Sequence, residues 1–445
     1  MGQFWNYLQS YLLHISKYFM PLYLWIFTGL SFFALTNAGW RRIKTICDVQ
    51  LVLMFLTHFS GAAVICLKTG KPVYLLLYAF QEILIFALVV LTNMIYPDGD
   101  RLLINNMCMM LSVGAVILMR LDLNRAVKQF FIVVVSAACC LLIPYLIDSL
   151  KRLPDLKWLY AVIGVSALAI VFFLGSVVHG ARITFTVYGI TFQPSELVKI
   201  LFVFYLSSAF YIYSGFREVA ETSMVAGSLI VLLVLSRDLG SALIFFVVFL
   251  AVVFYATGRW PYLVAGAGVA ALASAGAYRY FSHVRMRIEA WRDPWSMIDD
   301  AGYQITQSLF AISGGGLFGT GLMNGNPSSI PYVEQDFIFS AIAEEMGIIF
   351  AVGLIALAFA TFLDYMVISG VAADRFDRLI CFGLGVTYIF QVFLTVGGGT
   401  KFIPMTGLTF PLLSYGGTSV LTTLVLFYVA EGVSARAYAW TGEEY

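Results

Sequence analysis

Apolar residues in this chain come in long blocks, and short polar clusters punctuate them. Blocks of about 20 residues can cross a hydrocarbon core of about 30 Å as α-helices. A helix also satisfies its own backbone hydrogen bonds, which lipid cannot do. Apolar length and polar punctuation predict about thirteen spans. Three run near 19–36, 47–67 and 73–96. Ten more run near 102–120, 129–147, 158–178, 194–214, 222–236, 239–256, 261–279, 336–362, 378–396 and 411–431. Small-residue runs such as Ala265-Gly266-Ala267-Gly268 and Ala273 to Ala277 suit close helix contacts in lipid. The expected fold class is an all-α polytopic membrane protein.

One stretch breaks the pattern. From Arg285 to Gln335 the chain carries Arg285, Arg287, Glu289, Arg292, Asp293, Asp299, Asp300, Gln304 and Gln307, then Gly314-Gly315-Gly316. A loop of this polarity between oily helices points to a polar site at a membrane surface. Composition agrees, with 61% hydrophobic and 11% charged residues against roughly 25% charged in soluble domains. A net charge of +1 without any basic face argues against nucleic-acid binding. The six cysteines sit in or beside apolar segments without metal-ligand spacing and read as small hydrophobes. No small-x-small cleavage site follows a short apolar core near the start, so the first membrane helix is expected to be retained.

Lysine and arginine divide almost evenly between the two sides that alternating spans would define, so the positive-inside rule does not orient the chain. Cations as frequent on the Asp293 side as on the other suit an anionic ligand there, since guanidinium and ammonium groups pair strongly with phosphate. Lipid headgroups would account for the same count.

Several residues have the chemistry for a site. Asp293, in Trp291-Arg292-Asp293-Pro294-Trp295, precedes a proline that biases it away from helix. Partial desolvation would raise its pKa and nearby arginines would lower it, a balance that suits a general base near neutral pH. Ordinary turn chemistry is the plainer reading. Glu196 and Lys199, in Gln193-Pro194-Ser195-Glu196-Leu197-Val198-Lys199, share a helix face at i,i+3. They read equally as a structural ion pair or as part of a substrate cavity. Asp238 fits a helix cap. Arg125 and Lys128 are candidate phosphate partners, and Lys401 follows a glycine run that allows close ligand approach. Glu344 and Glu345 enter a span, so at least one must find a cavity or partner. The histidines are scattered and support neither a metal site nor a Ser-His dyad.

Taken in order, these polar islands resemble the SEDS family (shape, elongation, division and sporulation; RodA, FtsW and SpoVE are members). The matching segments begin with Gly180-Ala181-Arg182, Phe192 to Lys199, Asp238-Leu239-Gly240-Ser241 and Arg292-Asp293-Pro294-Trp295. They continue with Gly302-Tyr303-Gln304, Gln307-Ser308, Gly314 to Gly321, Asp336 to Phe339, Glu344 to Gly347, and Pro404 to Ser419. Each is weak alone, but the ordered set is specific. Two departures stand out. Ile330-Pro331-Tyr332 replaces the common Leu-Pro-Glu, with the nearest glutamate at Glu334, and Arg237 stands where proline is common.

The resemblance implies a SEDS-like ten-helix bundle over 101–435 with a large extracellular loop at 280–335. About three further helices would precede it in 1–100, and a short cytoplasmic tail would follow at 436–445. It implies a peptidoglycan glycosyltransferase in the bacterial cytoplasmic membrane, with its active site facing outside, polymerising lipid II onto a nascent glycan strand. A class B penicillin-binding protein is the implied transpeptidase partner. Asp293 falls on the catalytic position. Glu196, Lys199, Arg125, Lys128, Arg182, Asp238, Gln304, Gln307, Lys401 and Ser414 form the expected substrate-binding set. A divalent cation, Mg²⁺ or Mn²⁺, is the expected cofactor, without assigned ligands. The competing readings are a flippase for lipid-linked precursor and a non-catalytic scaffold for a cell-wall synthase.

Overall fold

A computed structural model describes residues 2–37, 40–178, 181–187 and 190–441, with side chains for 15–36, 43–176, 184–185 and 192–438. Twelve stretches among them are long and apolar enough to cross a membrane. The chain is a multi-pass helical membrane protein.

Three helices come first: α1 (Gly2–Asn37), α2 (Trp40–Thr69) and α3 (Val73–Ile95). The next group is α4 (Arg101–Leu121), α5 (Leu123–Cys140), α6 (Ile143–Ser149), α7 (Lys157–Leu174), α8 (Pro194–Ala209), α9 (Phe216–Leu235), α10 (Leu239–Thr257) and α11 (Trp260–Tyr280). Two short helices, α12 (Ser282–Arg292) and α13 (Tyr303–Gly315), occupy the polar excursion. The last three are α14 (Ile338–Val371), α15 (Arg375–Gly399) and α16 (Gly417–Thr441). Residues 436–441 of the expected tail therefore continue α16, and 442–445 lie outside the described residues.

Local chemistry explains several boundaries. Asp100 caps α4 by accepting from the amides of Leu102 and Leu103, and Asp122 caps α5 through Asn124 and Arg125. Pro194 opens α8 at a position where its missing N–H costs nothing. Gly258, at φ 65°, ends α10 in the left-handed conformation that glycine tolerates best.

Burial sorts the helices. α4 is enclosed along almost its whole length, with α2 and α3 on one side and α5 and α14 on others. α8, read from sequence as a span over 194–214, is 16 residues long. At 1.5 Å per residue it reaches about 24 Å, short of the hydrocarbon thickness. Nearly all its side chains are buried, so it runs from one end of the bundle to the other as a core helix. α11 is the opposite case. None of its described residues is buried, yet Gly266 of its small-residue run lets it approach α10, since a Cβ there would lie 2.3 Å from Leu250 Cδ2.

One element was not foreseen. Between α7 and α8 the chain forms an antiparallel three-stranded sheet, β1 (Ser176–Val178), β2 (Ala181–Val187) and β3 (Ile190–Phe192), where the span expected over 158–178 would have ended. Val177 lies opposite Arg182, and Phe185 opposite Phe192. Because the helices alternate in direction, this sheet shares one end of the bundle with the α4–α5 and α9–α10 turns, the α12–α13 excursion and the α15–α16 loop.

Candidate active site at the loop-rich end

The loop-rich end is organised around a broken helix. α14 is interrupted at Gly347, whose φ of 85° and ψ of 165° are not helical. The glycine-rich turn after α13 enters the break. The amides of Thr320 and Gly321 donate to the carbonyls of Glu344 and Glu345, each at 2.9 Å. On the far side of the break, Ile348 donates to Gly316 O at 3.0 Å and Ile349 to Leu317 O at 3.2 Å. The inserted segment thus satisfies backbone groups that a kink in lipid would leave unpaired. A Cβ at Gly319 would lie 2.2 Å from Glu345 O, and one at Gly347 2.4 Å from Gly319 N. Both positions also have positive φ, so glycine is required twice over.

Arg120, at the end of α4, locks this insertion. Its Nε donates to both carboxylate oxygens of Glu345, at 2.9 and 3.0 Å, and its Nη2 reaches Gly325 O at 3.1 Å. Glu344 accepts from the Asn326 amide at 2.7 Å. Both glutamates, of which at least one had to find a cavity or partner, therefore hold the loop itself.

A second tie involves α5. Arg125 forms an ion pair with Glu334, the glutamate displaced from the familiar motif, and its guanidinium stacks on Tyr415 at 5.7 Å. Tyr415 N donates to Glu334 O at 2.7 Å, and Ser414 Oγ donates to Gln335 O at 2.5 Å. Gln129 Nε2 donates to Ser414 O at 3.2 Å. Arg125 and Ser414 are thus engaged in holding loops, whereas Lys128 is exposed and makes no ion pair among the described residues.

Asp293 closes α12 at the rim. Its side chain is exposed, and one oxygen accepts from the Ser296 amide at 3.4 Å. Two residues earlier, Trp291 Nε1 donates to Lys401 O at 3.1 Å, which ties α12 to the α15–α16 loop. Behind Asp293, Gly302 lets the turn close. A Cβ there would sit 2.4 Å from Pro294 O. Lys401, held at φ 60°, is half-buried, and Gln304 and Gln307 are half-buried on α13. None of these three side chains has a hydrogen-bond or ion-pair partner among the described residues.

Arg287 and Asp336 lie beneath the rim, and neither was assigned a role from sequence. Arg287 reaches the carbonyls of Met405 and Thr406 at 3.4 and 3.5 Å. Burial pulls its pKa down, while Asp238 and Asp336 hold it up. Asp336 faces the same turn, 3.8 Å from where a Cβ on Gly407 would stand. Burial pushes its carboxyl up to about 7, and the Arg287 guanidinium counters part of that rise. A lone aspartate before an apolar run gives no local sign of this setting. Only the meeting of α12 with the α15–α16 loop creates it.

The floor is closed. Asp238 caps α10 through the Ser241 amide at 3.1 Å and accepts from Ser195 Oγ at 3.0 Å. Lys199 Nζ lies 3.0 Å from each Glu196 oxygen and 2.7 Å from Gln391 Oε1. Thr422 Oγ1 donates to Glu196 at 3.1 Å, and Gln391 Nε2 donates to Thr409 O at 3.0 Å. Glu196 and Lys199 are about 4% exposed. Their charges are spent on each other and on α15 and α16. Arg182 belongs to β2, and its side chain lies outside the described residues.

Among the described residues no three His, Cys, Asp or Glu side chains converge as metal ligands. A resident metal centre built by protein side chains does not fit this rim.

Residues 100–438 match the family model described as "Cell cycle protein", that of FtsW, RodA and SpoVE. The peptidoglycan glycosyltransferase RodA of Mycobacterium tuberculosis strain H37Rv is 30% identical over 421 residues, covering 87% of this chain and 90% of the relative. A probable peptidoglycan glycosyltransferase FtsW of Geobacter sp. strain M18 is 33% identical over 275 residues, 59% of this chain and 74% of its own. Among solved structures, a chain of a peptidoglycan synthase complex, in a study of how polymerization and crosslinking are coordinated, superposes with a TM-score of 0.65 at 27% identity. That match covers 76% of this chain and 98% of the other. The rod shape determining protein RodA of Thermus thermophilus gives a TM-score of 0.56 at 25% identity, over 76% and 96%.

Proposed function

This chain belongs to the FtsW, RodA and SpoVE family of cell cycle proteins, and from that membership we propose that it is a peptidoglycan glycosyltransferase with Asp293 as general base. Its substrates are lipid II and the nascent glycan strand, and it works at the outer face of the cytoplasmic membrane. The 4-hydroxyl oxygen of the acceptor attacks the anomeric carbon of the donor sugar. The bond from that carbon to the diphosphate oxygen breaks with inversion, and the hydroxyl proton passes to the Asp293 carboxylate.

The observation that carries this reading is the setting of Asp293, an exposed carboxylate at the rim whose one hydrogen bond among the described residues comes from the Ser296 amide. A sugar hydroxyl is too weakly acidic to attack unaided, so a positioned base speeds the step. Lys401 is the cation best placed to meet the departing diphosphate, because Lys199 and Arg125 are already paired. Gln304 and Gln307 have unused hydrogen-bonding capacity for sugar or peptide groups. Both lipid tails stay in the bilayer, which holds donor and acceptor at one depth and lowers the orientational entropy to be lost.

Residues 1–100 act as an N-terminal extension to a catalytic bundle spanning 101–435. The crosslinking partner is a class B penicillin-binding protein, in keeping with the synthase complex among the structural neighbours. Mg²⁺ or Mn²⁺ would arrive with the diphosphate, held by phosphate oxygens and at most one or two carboxylates.

Purified protein incubated with labelled lipid II, with and without a transpeptidase partner, tests this reading. Glycan polymer from the wild type and none from Asp293→Ala is the expected result. Polymer from a well-folded Asp293→Ala protein would overturn the assignment of the base. Translocation of lipid II without polymer would favour the flippase instead.

A further inference from the structure

We infer that α1 and α2, which lie outside the family match, brace the inserted segment at the break in α14 and so position the loop that carries Asp293, with Trp25 and Lys68 as positioning residues for glycosyl transfer. This rests on the glycosyltransferase reading only for its effect on rate.

Three contacts converge on the break. Trp25 Nε1 donates to Ile349 O at 3.0 Å, two residues beyond Gly347. α1 comes this close because position 353 is glycine. A Cβ there would sit 3.0 Å from Leu24 Cδ2 and 3.3 Å from Trp25 Nε1. Tyr18 packs against Phe318, in the inserted segment itself, with ring centroids 5.1 Å apart. At the end of α2, Lys68 Nζ donates to Asn324 Oδ1 at 2.7 Å, and Asn324 Nδ2 donates to Thr320 O at 3.1 Å. Thr320 is one of the two residues whose amides fill the break.

The brace has a fixed base. Ser31 donates to Asn106 at 2.9 Å, and Asn105 donates to Gln50 at 3.2 Å and to Cys47 O at 3.0 Å. These buried bonds stitch α1 and α2 to α4 within the apolar layer, where water offers no competing partner. Gly61 lets α2 approach α4, since a Cβ there would lie 2.5 Å from Val116 Cγ1. The last turn of α4 carries Arg120, which holds Glu345 and Gly325. The inserted segment is therefore gripped from α1, α2 and α4 together.

Movement of that segment reaches the rim through α13. Ser308 on α13 donates to Gly399 O at 2.6 Å and shares a 2.6 Å hydrogen bond with Ser340. At the other end of α13, Gly302 N donates to Met297 O at 2.9 Å, closing the turn that begins at Asp293.

The test compares wild type, Trp25→Phe, Lys68→Met and the double variant, with Lys71→Met as a neighbouring control. Polymerisation kinetics on labelled lipid II and hydrogen exchange by mass spectrometry are read on each. The double variant should lose about tenfold in kcat with KM changed less than about twofold, since a misplacement of about 1 Å can cost on the order of 100-fold. Exchange should rise in 316–326 and 293–302, Lys68→Arg should restore the rate, and Lys71→Met should match wild type. A double variant with kcat within about twofold of wild type, or with unchanged exchange in both segments, overturns the brace. Wild type without polymerase activity would instead defeat the glycosyltransferase reading, and the exchange data would still decide whether α1 and α2 hold the loop.

Discussion

Asp293 and Glu196 sit at the same end of the bundle in opposite surroundings. Asp293 is exposed, ends a short helix and accepts one long hydrogen bond from Ser296. Glu196 is buried, with Lys199 3.0 Å from each of its oxygens and Thr422 donating to it. The first carboxylate has unused capacity to accept a proton. The second has spent its charge on holding α8 against α15 and α16, because a buried ion is tolerated only when paired and hydrogen-bonded. Two motifs of similar prominence in the sequence thus have different work, reaction at the rim and rigidity beneath it.

The sharpest way to break this contrast is Asp293→Ala. Removing a general base costs typically 10²–10⁴-fold in rate, so polymerisation should fall by about that much while the thermal unfolding midpoint in detergent stays put. Equal losses of rate and stability would show that the rim aspartate is structural after all.

Lys199→Met probes the floor. It leaves Glu196 buried without its partner, which costs roughly 3–5 kcal/mol, whereas replacing both members by neutral residues is often nearly neutral. The double variant Glu196→Gln with Lys199→Met should therefore melt closer to wild type than the single one. A single variant as stable as wild type would mean that water or substrate reaches the pair.

Asp336 gives the smallest and most pH-dependent signal. Its carboxyl rises from 3.8 to about 7 on folding, chiefly through burial. The folded state thus favours the neutral acid, so this contribution to stability is complete below the ordinary carboxylate pKa and is lost as pH rises through about 7. Melting wild type and Asp336→Asn at pH 5 and pH 8 should show the variant gaining on wild type at the higher pH. A constant difference would place Asp336 in contact with solvent. Loss of an inflection near pH 7 from the rate profile of Asp336→Asn would add it to the groups that govern turnover.

Much of the fold was legible along the chain, and the exceptions have definite causes. Residues 194–214 gave no sign that α8 is a core helix, because apolar content does not distinguish a lipid-facing helix from a core helix. The sheet at 176–192 was hidden in the tail of an apolar block. Glu344 and Glu345 stand just before the break at Gly347, but no local pattern shows what fills it. Its cause is a segment returning from Gly316 to Gly321. At least one of Glu344 and Glu345 was read as needing a cavity or partner, and the partner of Glu345 is Arg120, 225 residues away.

The order of the membrane helices, and the long polar loop between them, follow largely from run length, because a span must match the hydrocarbon thickness and cannot leave backbone groups unpaired. Which acid stays open and which is neutralised follows from packing. Desolvation and ion pairing depend on neighbours brought together from distant parts of the chain, and no local pattern of residues encodes them.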